Sequence, residues 1–237
     1  MKGWQMARKK YYMVIDTETC GDYVFDIGYR VIDRAGKCYA HASFVIAEFI
    51  NCPERLGMFT DRFTRDKIGK YYFDLWANNG GFKVVPFVVA RDNVRAMIQD
   101  YNAIVCAYNI AFDLAHLEKT AQYLGYDSFF NGNIETVDIW NVAMCILGTK
   151  KYIRFCMAHE FYTKTGNIQT GAEIMYRYIT NDATFNEAHT AHEDCIIECA
   201  ILEKCFKQKK HFETKTVNPC LHNAAWRSIQ ETHKSMC

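Results

Sequence analysis

The spacing of hydrophobic residues predicts three strands in the first part of the chain. Residues 11–15 form an aromatic and aliphatic run of the kind that favours a buried strand. Over residues 23–32 apolar side chains alternate with polar or small ones, and residues 37–46 form another strand-like run. Turn-forming residues at 33–36 separate the second run from the third, so we expect a three-stranded meander.

Beyond residue 102 the pattern changes to short apolar strands that alternate with helices. Residues 103–107 form a short apolar run, and apolar residues then recur at helical spacing over 114–124. A strand-like piece at 135–139 leads into an apolar helix that ends near Ile146, and a closing helix ends at about Phe206. Strands and helices that alternate in this way indicate a mixed α/β sheet.

The segment 47–102 interleaves aromatic and basic residues. Such interleaving could form a stacking surface for single-stranded nucleic acid, but aromatic residues at these spacings more commonly pack in a core. We interpret the segment as a helical insertion between the third and fourth strands that could cover a cleft. The chain then divides into an N-terminal extension (1–10), one domain (11–206) and a polar C-terminal tail (207–237).

The composition favours an intracellular globular protein. Half of the 237 residues are hydrophobic, which is enough for a substantial core, and the formal net charge of +1 neither favours nor disfavours a polyanionic partner. The 11 cysteines include no CxxC pair, which disfavours a zinc ribbon or a redox motif. The N-terminus lacks the apolar run of a signal peptide, and no stretch approaches the roughly 18 apolar residues of a transmembrane helix. We therefore expect a cytoplasmic protein without membrane association.

Two carboxylates, Asp16 and Glu18, follow directly after the first apolar run. Residues two apart in an extended chain point to the same face, so both acids would project together from the strand end. Two like charges this close repel each other unless a cation lies between them. From these residues alone, a metal site and a polar turn are equally good interpretations.

Two further acids, Asp113 and Asp194, fall where a predicted helix begins. Taken singly, each has an ordinary explanation; Asp113, for example, could be a helix cap or a first-turn acid favoured by the helix dipole. In a mixed α/β sheet, however, strand ends and helix starts can converge on one cleft. Four ligands that offer only oxygen suit Mg²⁺ or Mn²⁺ rather than zinc or copper.

Three separated motifs contain these acids. Residues 16–19 are D-T-E-T, residues 109–113 are N-I-A-F-D, and residues 189–194 are H-T-A-H-E-D. In this order and context they resemble the motifs of DnaQ-like 3′–5′ exonucleases of the DEDDh group. The resemblance covers roughly residues 11–206. The insertion is long for the connection between the third and fourth strands in compact members of that family, and the tail that begins at Lys207 has no recognised counterpart.

The third motif distinguishes the histidine group from the related tyrosine group, called DEDDy. The tyrosine group has Tyr four residues before the final acid, where this chain has Thr190. His189 lies five residues before Asp194, as the histidine group requires. His192 lies only two residues before Asp194 and matches neither pattern, so we interpret it as a residue of the helix face.

The resemblance implies a ribonuclease H-like fold, with a mixed five-stranded sheet flanked by helices, and hydrolysis of the terminal phosphodiester at a single-stranded DNA or RNA 3′ end. It implies that four carboxylates bind two Mg²⁺ or Mn²⁺ ions: Asp16, Glu18, Asp113 and Asp194. His189 would be the general base, for which an imidazole with a pKa near neutrality is suited. Thr17 would contact the terminal sugar through its backbone, while Asn109 and Phe112 would shape the substrate pocket.

Other interpretations stay open at this stage. Phe112 could equally be a core residue and Asn109 a turn residue. The domain could be a nuclease-like module that binds nucleic-acid ends or a protein partner without cutting, although such a module has no need of four metal-binding carboxylates. It could also be a different phosphoryl hydrolase that cleaves small nucleotides or internal bonds.

Overall fold

A mixed sheet forms the centre of the computed structural model, which describes residues 9–52, 83–208 and 222–236. The strands along the chain are β1 (Tyr11–Cys20), β2 (Tyr23–Asp33), β3 (Cys38–Ile46), β4 (Lys83–Val85), β5 (Ile104–Ala107) and β6 (Thr136–Asp138). The helices are α1 (Ala47–Ile50), α2 (Phe87–Tyr101), α3 (Ile110–Tyr123), α4 (Ile139–Ile146), α5 (Lys150–Ala158), α6 (Ala172–Thr180), α7 (Ala191–Gln208) and α8 (His222–Lys234). Across the sheet the strand order is β4-β3-β2-β1-β5-β6.

The first three strands form the predicted meander, with β1 antiparallel to β2 and β2 antiparallel to β3. Strand β5 pairs with β1 in parallel, and β6 pairs with β5 in parallel. The β1–β5 register ends at Val14 opposite Cys106. The acids of β1 therefore lie just beyond the paired part of β5, where the chain turns towards α3.

Strand β1 is buried on both of its faces. Val14 belongs to a hydrophobic cluster that includes residues of α4 and α7, whereas Ile15 belongs to one that includes residues of α2 and α3. Because successive side chains of a strand point to opposite faces, Asp16 continues the α7 side and Thr17 continues the α3 side. This two-sided burial explains why the run before Asp16 is apolar without interruption.

The predicted fold class is confirmed: the domain is a mixed α/β sheet flanked by helices. The sheet has a sixth strand, β4, which pairs in parallel with β3 and forms one edge of the sheet. Strand β4 comes from the segment predicted as a helical insertion, and its three residues are too few and too exposed to give a period-2 pattern. The same segment contains α2, whereas residues 53–82 of it lie outside the described part of the chain.

The segment expected to be a polar tail, 207–237, contains helix α8. Ile229 on this helix is buried, and an ideal Cβ placed on Gly148 would lie 2.6 Å from its Cδ1 atom. The side-chain amide of the buried Gln230 makes two hydrogen bonds with the backbone of Ile168. Its Nε2 donates to the Ile168 carbonyl (3.0 Å), and its Oε1 accepts from the Ile168 N–H (2.9 Å). Helix α8 thus packs against the domain although most of its residues are polar.

Within the described ranges, none of the helices combines the length and the apolar character that a membrane crossing requires.

Candidate active site

The acids predicted from the motifs come from three different elements. Asp16 and Glu18 lie in the C-terminal half of β1, Asp113 lies in the first turn of α3, and Asp194 lies in the first turn of α7. Three of these side chains meet closely: one carboxylate oxygen from each lies within 4.8 Å of an oxygen of each of the others, for Asp16, Glu18 and Asp194. Three of the four predicted metal ligands are therefore close enough to share a cation.

The fourth acid, Asp113, joins this group through Thr17. The Thr17 hydroxyl donates a 2.8 Å hydrogen bond to Oδ1 of Asp113, and both side chains are buried. Thr17 lies between the two acids of β1 but points to the opposite face, so it connects that strand to α3. The charge of Asp113 also raises the pKa of Asp16, which places the two carboxylates in each other's electric field.

Strand β2 provides the surface on which the N-terminus of α7 rests. Gly28 pairs with Asp16 in the sheet, and an ideal Cβ on Gly28 would lie 2.4 Å from the carbonyl carbon of Ala191. No side chain fits there, so glycine is required for this close approach. The buried Asp26 accepts a hydrogen bond from the N–H of Ala191 (3.1 Å), which satisfies a backbone donor that the start of a helix leaves without an intrahelical partner.

Helix α3 begins directly after its N-cap residue Asn109, whose backbone has φ +72°, in the left-handed region. Asparagine tolerates this conformation better than most residues, which is consistent with the turn interpretation of Asn109. Phe112, by contrast, is not a core residue, because its side chain is 42% exposed and contacts the ring of His116 at a centroid distance of 4.0 Å. Phe112 therefore presents an aromatic surface beside Asp113.

The two histidines of the third motif occupy different surroundings. His189 lies just before α7, and one of its ring nitrogens falls within 4.8 Å of carboxylate oxygens of Glu187 and Asp194. His192 instead contacts the ring of His41 on β3 at a centroid distance of 5.4 Å, and burial lowers its pKa. Only His189 joins a carboxylate cluster in the described part of the chain.

Glu198 is a buried acid that the motifs do not include. It lies one helical turn after Asp194 on α7 and is only 3% exposed. Its Oε2 atom accepts a hydrogen bond from the N–H of Tyr108 (3.1 Å), the residue that follows β5, and its charge raises the pKa of Asp16. A sequence signal existed, because Glu198 occupies a position of α7 whose neighbours at helical spacing, Cys195 and Ile201, are apolar.

Glu187 is a second acid that the motif comparison missed. It is partly buried, and its charge is the largest contribution from a neighbouring group to the raised pKa of Asp194. The sequence offered little to single it out, because it precedes His189 in a segment without helical or strand periodicity.

The crowded carboxylates hold protons more tightly than isolated acids do. Burial raises the pKa of Asp16, and it raises the pKa of Asp113 to about 7 although the Thr17 hydrogen bond opposes the shift. Burial, together with the charges of Glu187 and Glu18, raises the pKa of Asp194 to about 11. The buried Oδ1 of Asp194 has no hydrogen-bond partner among the described residues. A divalent cation would relieve the repulsion and bind the oxygen atoms, so these residues fit a metal site.

The contact between Gly28 and α7 predicts the effect of adding one methyl group. Gly28→Ala should displace the N-terminus of α7, lower the unfolding free energy by roughly 1–3 kcal/mol and weaken Mn²⁺ binding, because overpacking shifts the backbone that carries Asp194. Gly171→Ala is the matched control, since an added Cβ there meets no atom within 4 Å. Urea unfolding and electron paramagnetic resonance of bound Mn²⁺ measure the two effects. Equal behaviour of the two variants would contradict the proposed role of Gly28.

The raised pKa values predict how the stability of the metal-free protein depends on pH. A carboxyl group with a higher pKa in the folded state binds its proton more tightly when folded, so its stabilising contribution is present below the unfolded pKa, about 4. That contribution is lost as the pH rises through the folded pKa, which is about 7 for Asp113. Without divalent ions, the unfolding free energy should therefore fall between pH 4 and pH 7.

Chemical denaturation across this pH range, with chelator present, tests this prediction. The Asp113→Asn variant should show a smaller decrease, since an amide does not titrate. Adding Mg²⁺ should stabilise the wild type more at pH 8 than at pH 5, because protons compete less for the ligands. A wild-type slope equal to that of Asp113→Asn would show that Asp113 does not contribute.

Comparisons with known proteins identify the fold. No protein-family model and no curated protein matches the sequence. Among solved structures, E. coli exonuclease I in complex with a dA16 oligonucleotide matches with a TM-score of 0.55 and 12% identity, over 85% of this chain and 42% of that chain. A product-bound structure of exonuclease I matches with a TM-score of 0.53 and 12% identity, over 92% and 46% of the two chains.

A third match is the complex called ExoI/SSB-Ct, with a TM-score of 0.52 and 12% identity, over 92% of this chain and 43% of the other. This chain thus spans less than half the length of these neighbours. At this level of identity the similarity concerns the fold alone. The protein has the ribonuclease H-like fold of exonuclease I, with a cluster of carboxylates in its first and last core elements.

Proposed function

We propose that this protein is a metal-dependent 3′–5′ exonuclease of the DEDDh type that acts on single-stranded DNA or RNA ends. The observation that carries the proposal is the convergence of Asp16, Glu18 and Asp194 within 4.8 Å, with His189 beside Asp194. The exonuclease I fold supports it, since one of those neighbours is bound to an oligonucleotide. The three motifs in their DnaQ-like order support the finer assignment.

The metal ligands in this proposal are the four motif acids, which would hold two Mg²⁺ or Mn²⁺ ions: Asp16, Glu18, Asp113 and Asp194. The crowding that raises the pKa values of Asp16, Asp113 and Asp194 supports this assignment, because the apoprotein bears the cost of their repulsion. Divalent ions in such a site activate water and stabilise the charge that develops on the leaving oxygen. The ligands offer only oxygen, as these hard cations prefer.

His189 is the proposed general base. A ring nitrogen of His189 accepts a proton from the attacking water while the water oxygen bonds to the terminal phosphorus and the bond from phosphorus to the 3′ oxygen breaks. The products are a nucleoside 5′-monophosphate and a strand shortened by one residue with a free 3′ hydroxyl. The position of His189 supports this role, because one of its ring nitrogens lies within 4.8 Å of a carboxylate oxygen of Asp194, which is a proposed metal ligand.

The substrate end would lie against β1 and the start of α3. The Thr17 hydroxyl is engaged with Asp113, which favours the backbone of Thr17 for a contact with the terminal sugar. Phe112 is 42% exposed and offers a ring on which a terminal base can stack. Asn109 fixes the turn that places Phe112 beside the acids.

The proposal predicts 3′-end digestion that depends on Asp16. Purified protein with Mg²⁺ or Mn²⁺ should shorten 5′-labelled single-stranded DNA or RNA one residue at a time, and Asp16→Asn should abolish turnover while leaving the fold intact. Gel electrophoresis of the labelled products measures the first effect, and circular dichroism measures the second.

A strand with a blocked 3′ end is the control for direction. Intact DNA and RNA in both metals would overturn the proposal, and tight binding without turnover would favour a non-catalytic module. Cleavage of the blocked strand at internal positions would favour an endonuclease on the same scaffold.

The two histidines of the third motif should respond differently to mutation. His189→Ala should lower kcat by roughly 10²–10⁴-fold, the usual contribution of a general base, with a smaller change in KM. His192→Ala is the matched control, because His192 contacts His41 rather than the carboxylates. Steady-state kinetics on one oligonucleotide compare the variants, and a large loss confined to His192→Ala would move the role of base to that residue.

A further inference from the structure

Beside the three carboxylates of the catalytic group lies a cluster of different chemistry. One carboxylate oxygen each from Glu187 and Asp194 and one ring nitrogen of His189 lie within 4.8 Å of one another. Ligand atoms at such separations can contact one ion. Asp194 is common to this cluster and to the group formed with Asp16 and Glu18. The resemblance to DEDDh exonucleases gave no role to Glu187.

Contacts from helix α6 hold the segment that carries Glu187. Arg177 donates from Nε to the carbonyl of Phe185 (2.7 Å) and from Nη2 to Oε1 of Glu173 (2.8 Å). The same Glu173 oxygen accepts the backbone N–H of Glu187 (3.2 Å). The Arg177–Glu173 ion pair thus fixes the backbone of Glu187 before any ligand arrives.

The backbone of His189 completes the shape of this cluster. His189 has φ +57°, in the left-handed region that residues other than glycine rarely adopt. His189 lies between Glu187 and the start of α7, and ligand atoms from residues before and after it lie within 4.8 Å of each other. The cluster is therefore built by the fold and does not consist of side chains that meet by chance on a surface.

The chemistry of the cluster favours a positive charge, which a proton shared by Glu187 and Asp194 supplies when no cation is bound. Asp194 is 7% exposed, and its Oδ1 atom lacks a hydrogen-bond partner within the described ranges. Two carboxylates side by side repel each other unless a proton or a cation lies between them. Zn²⁺ binds imidazole nitrogen as well as carboxylate oxygen, whereas oxygen-only sets suit magnesium and manganese.

We propose that Glu187, His189 and Asp194 form a binding site for a zinc-type cation that inhibits the enzyme. A cation there binds the ring nitrogen of His189 that would accept the proton of the attacking water. It also binds Asp194, which is then less available to the group formed with Asp16 and Glu18. The site therefore distinguishes Zn²⁺ from Mg²⁺ by its nitrogen ligand and converts Zn²⁺ binding into loss of turnover. The inhibitory consequence rests on the proposed nuclease function, whereas the binding does not.

Zinc binding can be measured without any nuclease assay. Wild-type protein saturated with Mg²⁺ is titrated with ZnCl₂ by calorimetry, while ¹H–¹⁵N spectra follow the imidazole of His189, assigned with a His189→Gln variant. We expect one Zn²⁺ to perturb the NMR signal of this imidazole. Glu187→Gln should weaken Zn²⁺ binding at least roughly tenfold, because mutating even the outer-shell partners of a metal lowers its affinity by 10–100-fold. Glu193→Gln is the matched control, since Glu193 lies on the same helix turn outside both clusters, and it should change the affinity less than twofold.

Inhibition is then tested at constant Mg²⁺ on an oligonucleotide. The Zn²⁺ concentration for half-inhibition should rise at least roughly tenfold in Glu187→Gln, each variant being compared with its own zinc-free rate. Two results would overturn the site. One is an imidazole signal of His189 that Zn²⁺ does not perturb. The other is a Zn²⁺ affinity equal to that of the wild type in both Glu187→Gln and His189→Gln, provided that both variants keep the wild-type melting temperature. Zn²⁺ binding by a protein that cuts no nucleic acid would support the site and contradict the proposed function.

Discussion

Repulsion among carboxylates that the fold holds together is the interaction on which the rest of the structure depends. Asp16, Asp113, Asp194 and Glu198 come from three elements, and burial raises the pKa of each. A flexible scaffold would let such groups separate. Here β1 is packed on both faces, and the Thr17–Asp113 hydrogen bond ties it to α3. The surrounding hydrophobic clusters offset the free-energy cost of holding the carboxylates together. A cation then binds more tightly, because the carboxylates are already in place.

The approach of helix α7 to the sheet sets the geometry of the acids. Gly28 leaves room for the backbone of Ala191, and Asp26 accepts its N–H, so the first turn of α7 lies against β2. One turn later, Glu198 reaches the backbone of Tyr108 at the end of β5. Helix α7 is thereby fixed to both sides of β1. The last of the four motif acids, Asp194, lies beside the first, Asp16, because of contacts made by residues that carry no proposed catalytic role.

The sequence was most informative where local pattern and tertiary role agree. The period-2 runs of the meander, the apolar run before Asp16 and the start of α3 could be predicted because burial by neighbouring elements leaves a regular pattern. Strand β4 and helix α8 were missed, since β4 has three residues and α8 is mostly polar, with its buried contacts limited to a few residues such as Ile229 and Gln230. Among the acids, the motifs identified Asp16, Glu18, Asp113 and Asp194. They did not include Glu187 or Glu198, and only the apolar neighbours of Glu198 on α7 indicated that it is buried.

The glycine at position 28 has a consequence for recognising proteins of this kind from their sequences. None of the three motifs contains position 28, yet a chain could keep every acid and still lack room for α7 to lie against β2. A side chain at the position paired with Asp16 would displace the start of α7 and with it Asp194, however complete the motifs. Matching the motifs therefore leaves out one condition on the position of Asp194, which in this chain is met by a residue without a side chain.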